Sequence, residues 1–356
     1  MFPSRFQNNG ACMSDVNSTI RRKAKNPAFD MRMAAVFLVR YGMFIALALW
    51  MVAMALSSEH FLTSTNILNV ARQAAPIIII GVGMTFVMAT AGIDLSVGSL
   101  VALISVLTAA WLVAGLPAYL VIGLVIVVGA MLGALNGFII TLGVPAFVVT
   151  LAALTSFRGV GFVYSDGRAV PISDPVFVFI GRGDIFGVNT PLIIATVVAV
   201  VGWFVLNRTR FGLYVLATGG REEAARVMGL AITRIKITVY AITGGLAALG
   251  GIVISARLSN GSPNAGMMLE LDVIAATVLG GTSLFGGRAT IAGTVVGALL
   301  INFVRNGLNL HGVNPYWVQV VTGIILVMAV LMNTVLNRKA EAWARANPDD
   351  EQEVSK

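Results

Sequence analysis

The stretch NRTRFGLYVLATGGREEAARVMGLAITRIK, residues 207–236, interrupts a chain that is otherwise almost free of charge between Tyr41 and Leu336. It carries eight charges in the order Arg, Arg, Arg, Glu, Glu, Arg, Arg, Lys. Hydrocarbon does not accept such a cluster, so the segment must lie in water between apolar spans. Within it, residues 221–230 read as a short helix bracketed by glycines. Gly219 and Gly220 precede it, Glu222 and Glu223 sit at its positive N-terminal end, and Gly229 is placed to terminate it. Glu222 and Arg226 stand i,i+4 in the favourable order. A small amphipathic helix between two membrane spans is a handle for a soluble partner.

Working outward, hydrophobic residues make up 57% of the 356, charged residues 11%, and mean hydropathy is +0.88. No soluble chain of this size could hydrate that surface. The class is an all-α polytopic membrane protein. The formal charge of +8 gathers in loops and tails, as expected against an anionic leaflet, so it does not indicate nucleic-acid binding. The single cysteine, Cys12, lies in a polar tail and excludes an internal disulfide framework. His60 and His311 are isolated, so no metal site or cofactor is expected. The run 36–56 superficially resembles a signal sequence, with Ala53-Met54-Ala55 as a cleavage site. It is too long and its basic flank too far from the start, so it reads as an uncleaved first span.

About ten stretches are long enough to cross a bilayer as helices. They fall near 36–57, 74–91, 96–115, 118–141, 146–164, 191–206, 237–256, 269–282, 290–308 and 316–336. The eighth is short. A polar tail (1–35) precedes this domain (36–336) and another (337–356) follows it. With the N-terminus in the cytoplasm, about 18 basic residues fall inside and about 6 outside. Both termini and the charged segment 207–236 are then cytoplasmic, and 165–190 is an external polar loop.

The chain also echoes itself. Leu95-Ser96-Val97-Gly98-Ser99 recurs as Leu258-Ser259-Asn260-Gly261-Ser262, an offset of 163, and Gly81 and Gly244 match at the same offset. Gly133-Ala134-Leu135 recurs as Gly297-Ala298-Leu299, and Gly143-Val144-Pro145 is echoed by Gly312-Val313-Asn314-Pro315. In this topology the two LSxGS pieces lie on opposite sides. Spans two to five and seven to ten would therefore be inverted repeats, an arrangement transporters share.

Ala91–Ser99 (AGIDLSVGS) joins two spans, with Asp94 and Ser96 as candidate caps for a helix starting near Val97. It reads equally as a capped turn and as a broken hairpin lining a path. Gly129, Gly133 and Gly137, and again Gly293 and Gly297, recur every four residues and read as helix packing. Asn302, Arg305, Asn306 and Asn309 share one helical face, which must meet protein or water. Glu270 and Asp272 open the eighth span, with Arg257 or Arg182 as possible partners. There is no phosphate loop ending in Lys-Ser/Thr, no nucleophile triad, and no mid-span carboxylate suited to a proton-coupled carrier. The chain reads as a transport subunit without its own energy source, not as an enzyme.

AGIDLSVGS (91–99), GGREEAARVMGL (219–230), ELDVIAATVLGGTSLFGG (270–287) and NGLNLHGV (306–313) closely resemble the permease subunit of ribose-type ABC importers, over roughly residues 40–335. The resemblance implies ten helices per chain and a permease dimer in a bacterial inner membrane. Its partners would be a cytoplasmic ATPase subunit and an extracytoplasmic sugar-binding protein. It also implies that Glu222, Glu223, Ala224, Ala225, Arg226 and Gly229 form the helix that couples to the ATPase. Where the family often has Asn before Glu-Ala-Ala, this chain has Arg221-Glu222. The expected cargo is a monosaccharide or related polyol. Candidate path residues are Asp94, Ser96, Asn136, Phe147, Asn302, Asn306 and Asn309. The alternatives are an ion-coupled secondary transporter, or a permease of the same family carrying branched-chain amino acids or nucleosides.

Overall fold

The computed structural model describes residues 45, 48–314, 316–324, 327 and 331. The expected polar tails, most of the first span and the end of the tenth lie outside the described residues. Contacts divide the chain into Met1–Ile45 and Ala46–Lys356; all that follows concerns the second unit.

The architecture is helical: α1 (Ala48–Ser57), α2 (Ser64–Ala89), α3 (Val97–Val113), α4 (Ala118–Thr141), α5 (Ala146–Ser165), α6 (Pro175–Arg182), α7 (Thr190–Arg208), α8 (Arg210–Gly220), α9 (Glu222–Val227), α10 (Ile232–Leu258), α11 (Leu269–Leu279), α12 (Ile291–Leu310) and α13 (316–324). Four two-residue strands, β1 (Val170–Pro171), β2 (Asp184–Ile185), β3 (Val188–Asn189) and β4 (Asn260–Gly261), pair as β1–β4 and β2–β3 in the loops. Among the described residues six helices, α2, α4, α5, α7, α10 and α12, are long and apolar enough to cross a membrane. The chain is a multi-pass membrane protein.

Several expectations need correction. The second span begins at Ser64 rather than 74, because Thr63 caps it by accepting the Asn66 N–H and its polar first turns hide the helix from a hydropathy reading. The eighth span is an 11-residue helix, α11, of about 16 Å, too short to cross alone. The loop 165–190, expected to be external, holds α6, started by Asp174 accepting from Phe177 N–H. The charged segment holds an unexpected helix, α8, capped by Thr209.

The centre is α2, α3 and α10, whose apolar side chains are mostly enclosed away from the helix ends. The centre closes through small residues. A methyl at Gly83 would meet Thr243 Cα at 2.9 Å, and one at Gly250 would meet Ile80 Cδ1 at 2.8 Å. The contact therefore advances along α2 as it retreats along α10, so the helices that open the two repeats run antiparallel. Gly129, Gly133 and Gly137 of α4 lie on the α10 backbone, at Gly244 O, Tyr240 O and Ile237 Cα. On the other side Gly81 of α2 faces Thr294 of α12. The first helix of each repeat thus packs against the third helix of the other, as an axis in the membrane plane requires. The outer faces of α4, α5 and α7 present Leu, Val, Phe and Trp outward, as a lipid-facing surface should.

Candidate functional site

At one end of the bundle, α7 stops at Thr209 and the chain turns through α8 to Gly219-Gly220. Gly219 is forced by its neighbours: a methyl there would come within 1.8 Å of Ala89 O, at the end of α2. Arg221 is extended, and α9 then runs from Glu222 to Val227, shorter than the expected 221–230. Its end is a double-bonded glycine cap: Gly229 N–H donates to Arg226 O (3.0 Å), Leu230 N–H donates to Ala225 O (3.1 Å), and Gly229 has φ +84°.

The six candidate coupling residues divide by environment. Ala225 is buried and anchors the helix. Glu223, Ala224, Arg226 and Gly229 are exposed. Glu222 is turned to its own chain, receiving Arg226 Nη2 at 3.1 Å and Lys236 Nζ at 2.7 Å. The Lys236 hydrogen bond, with the charges of Lys236 and Arg226, holds the Glu222 carboxyl below the ordinary glutamate value. Lys236 lies on α10, so the ion pair ties the short helix to a central one. Sequence spacing revealed the Arg226 partner; Lys236, 14 residues on, was missed because only the fold brings it back. Val227 and Met228, at 88% and 71% exposure, form the apolar tip.

Next to this segment is a cleft of about 330 Å³ lined by Thr90, Gly92, Pro145, Glu222, Lys236 and Tyr240, among others. Beyond it lies the AGIDLS turn. Ala91 has φ +61°. Asp94 Oδ1 accepts from Ser96 N–H (2.9 Å) and Ser96 Oγ (2.6 Å), and Asn136 Nδ2 donates to Ser96 Oγ (3.1 Å). Asp94, Ser96 and Asn136 are thus brought together, all buried. Asp94 supports the turn; Ser96 does not cap α3 with its own side chain, as expected from sequence, because its hydroxyl is engaged by Asp94 and Asn136. Tyr240 packs over this turn, its hydroxyl 2.6 Å from where a methyl on Gly92 would stand.

The remaining candidates lie elsewhere. Phe147 is exposed near the start of α5. Asn302 is buried and its amide donates to Ala298 O within its own helix (2.8 Å). Asn306 and Asn66 exchange amide hydrogen bonds at 2.8 Å, joining α12 to α2. Asn309 is exposed. Neither Arg257 nor Arg182 pairs with the acids of α11. Asp272 is held by Arg305, and Arg182 Nε donates to Arg257 O at 2.8 Å. The polar stripe on α12 had hidden this pairing, since Arg305 appeared there as one polar residue among four. Glu270 lies against Gly98, whose added methyl would be 1.9 Å from Glu270 Oε2. Among the described residues no group of three or more His, Cys, Asp and Glu is arranged to hold a metal ion.

A bundle of apolar helices joined in antiparallel repeats, with a capped polar helix hung from one end, is the frame of a transport permease. Residues 66–330 match the family described as branched-chain amino acid transport system / permease component, and the chain belongs to that family. It is 41% identical to the ribose import permease protein of Haemophilus influenzae over 308 residues, 85% of this chain and 95% of the relative. It is 37% identical to the D-allose transport system permease protein of Escherichia coli K12 (85% and 94% covered) and 35% identical to that strain's xylose transport system permease protein (79% and 87%). No solved structure matches. The chain is a membrane transport subunit rather than an enzyme.

Proposed function

We propose that this chain is the permease of an ATP-driven importer for a monosaccharide, working as a dimer of permease chains in a bacterial inner membrane. A cytoplasmic ATPase subunit would engage residues 222–229, and an extracytoplasmic binding protein would deliver the sugar at the opposite end. The observation that carries this reading is the construction of α9: a rigidly capped, six-residue helix with an apolar exposed tip, bonded through Glu222 to Lys236 of a central helix. A partner that closes on ATP and pulls the tip would move α10 directly. The relatives named for ribose, allose and xylose support the sugar class over branched-chain amino acids. A neutral sugar also suits a polar, weakly charged path better than an amino acid would.

Within this reading Glu223, Val227 and Met228 touch the ATPase, while Glu222 and Ala225 position the helix. Asp94, Ser96 and Asn136 shape the turn beside the inner mouth. The alternating motion would act at the antiparallel contact of α2 and α10, because that contact relates the two repeats. The basic residues of the tails and of segment 207–236 support a cytoplasmic position for this end.

The test is uptake by proteoliposomes holding permease, its ATPase and its binding protein. Charge reversal at both Glu222 and Glu223 is expected to lower uptake at least about tenfold. The variant should keep its membrane insertion, while binding protein no longer stimulates ATP hydrolysis. Normal uptake by the double variant sinks the coupling role. Uptake by the permease alone, driven by an ion gradient, overturns the importer reading in favour of a secondary carrier.

A further inference from the structure

The turn 282–290, joining α11 to α12, lies at the same end of the bundle as α9 and is built as firmly as a binding loop. Ser283 N–H donates to Arg288 O at 2.9 Å, closing the turn, and Thr290 N–H donates to Thr282 Oγ1 at 3.2 Å. Phe285 N–H donates to Ser283 Oγ at 3.2 Å. Gly286 and Gly287 take φ +82° and +74°, a conformation that side chains disfavour. Thr282 and Ser283 are buried, yet the ring between them and the glycines is not: Phe285 is 76% exposed.

This turn is hydrogen-bonded to the end of α2 and packs closely on the coupling segment. Gly287 N–H donates to Ala89 O at 3.1 Å. A methyl on Gly286 would stand 2.6 Å from Gly219 O and 2.9 Å from Ala91 Cβ, and one on Gly287 would stand 3.0 Å from Gly220 Cα. Gly219-Gly220 lead straight into α9, and Phe285 leads straight into Gly286-Gly287. The exposed ring and the exposed Val227-Met228 tip therefore spring from one seam.

An exposed aromatic ring on a fixed backbone turn gains hydrophobic burial only when a partner covers it, and with two side-chain torsions it loses little conformational entropy then. Such residues are the anchors of protein interfaces. We propose that Phe285 is a second contact for the ATPase subunit, inserting beside the α9 tip, and that the 282–290 turn carries the ATPase's motion to α11 and α12 as α9 carries it to α10. The occupant follows from continuity: Phe285 immediately precedes Gly286-Gly287, which pack on Gly219-Gly220 at the start of the segment proposed above to meet the ATPase. The inference rests on that assignment of residues 222–229.

The experiment places the photo-crosslinking residue p-benzoyl-phenylalanine at position 285 or at position 228 of the full permease, assembled with its ATPase and binding protein in membranes. Crosslinks from both positions to the ATPase are the expected result. Crosslinking from 228 but not 285, or from 285 only to a second permease chain or to lipid, overturns the second contact and leaves the coupling helix standing. Crosslinking from neither position overturns the underlying assignment as well; crosslinking from 285 alone moves the assignment from α9 to the turn. In parallel, Phe285→Ala is expected to weaken ATPase binding to detergent-solubilised permease about tenfold, with Phe285→Trp within about twofold of the parent. Unchanged binding in Phe285→Ala overturns the proposal.

Discussion

Gly244 and Gly81 occupy repeat-related positions, 163 residues apart, and face repeat-related helices, but what each faces differs. Gly244 lies on backbone: an added methyl would meet Gly129 O at 2.2 Å and the Gly133 Cα at 3.0 Å. Gly81 faces the end of a side chain, Thr294 Cγ2 at 2.8 Å. Around Gly81 the closure is polar: the Thr85 and Thr294 hydroxyls bond each other at 2.8 Å, and Thr85 Oγ1 also donates to Gly81 O at 2.7 Å. Around Gly244 glycine meets glycine and no side-chain hydrogen bond is needed. One seam thus holds by close backbone approach, the other by a pair of buried side-chain hydroxyls. In a bilayer both are workable, because lipid offers no competing hydrophobic force and helices associate through packing and internal hydrogen bonds.

The sharpest way to break this comparison is to make the same change on both sides. Gly244→Ala is expected to cost about 3 kcal/mol or more, since backbone cannot move out of the way. Gly81→Ala should cost less, about 1–3 kcal/mol, since a side-chain methyl yields more readily than backbone, at the expense of the Thr85–Thr294 hydroxyl bond. Reversible unfolding in mixed micelles measures both, and equal losses would show that the two seams are mechanically alike. Thr294→Val tests the polar half alone. It keeps the volume, removes the hydroxyl pair with Thr85, and is expected to cost about 0.6–1.7 kcal/mol in the same assay. No loss would make the pair incidental to packing.

The smallest effect concerns the link between α9 and the repeat core. Glu222 has a carboxyl held below its ordinary value of 4.5 by its cationic partners. A depressed folded pKa contributes stability that is present above the ordinary glutamate value and is lost as pH falls through the folded value. The contribution is a few tenths of a kcal/mol, about what a partly exposed ion pair supplies. Hydrogen exchange at the 222–230 amides should therefore be flat with pH, after correction for intrinsic rates, from neutrality to about 4.5 and rise below it. Glu222→Gln should exchange faster than the parent near neutrality, and the two should converge once the parent carboxyl is protonated. A pH-independent profile in the parent chain would remove the ion pair from the account of how α9 is held.

The sequence was legible wherever one physical constraint dominated. Charge cannot enter hydrocarbon, so the 207–236 segment announced itself, and with it the spans on either side. Glycine spacing announced tight seams at Gly129, Gly133 and Gly137, which the structure places on α10. Hydropathy failed where helices are polar: the start of α2 at Ser64 and all of α8 went unread, because caps and amphipathic turns contribute little apolar signal. Lys236 as the anchor of Glu222, and the nearness of the 282–290 turn to Gly219, were equally out of reach, since both depend on chain returning from a distance.

The glycine echo shows where that boundary falls. Composition and spacing by themselves determined that this is a helical membrane protein with two related halves and a water-exposed segment between them, because solvation acts on each residue locally. Only the tertiary structure decided which partners the echoed glycines take. Gly133 lies on Tyr240 O of α10, whereas its counterpart Gly297 lies on Ala276 O of α11, within its own repeat. A glycine specifies that something will come close; which helix does so depends on the lengths and tilts of the others. The repeat-related helices α11 and α3 also differ in length, 11 residues against 17.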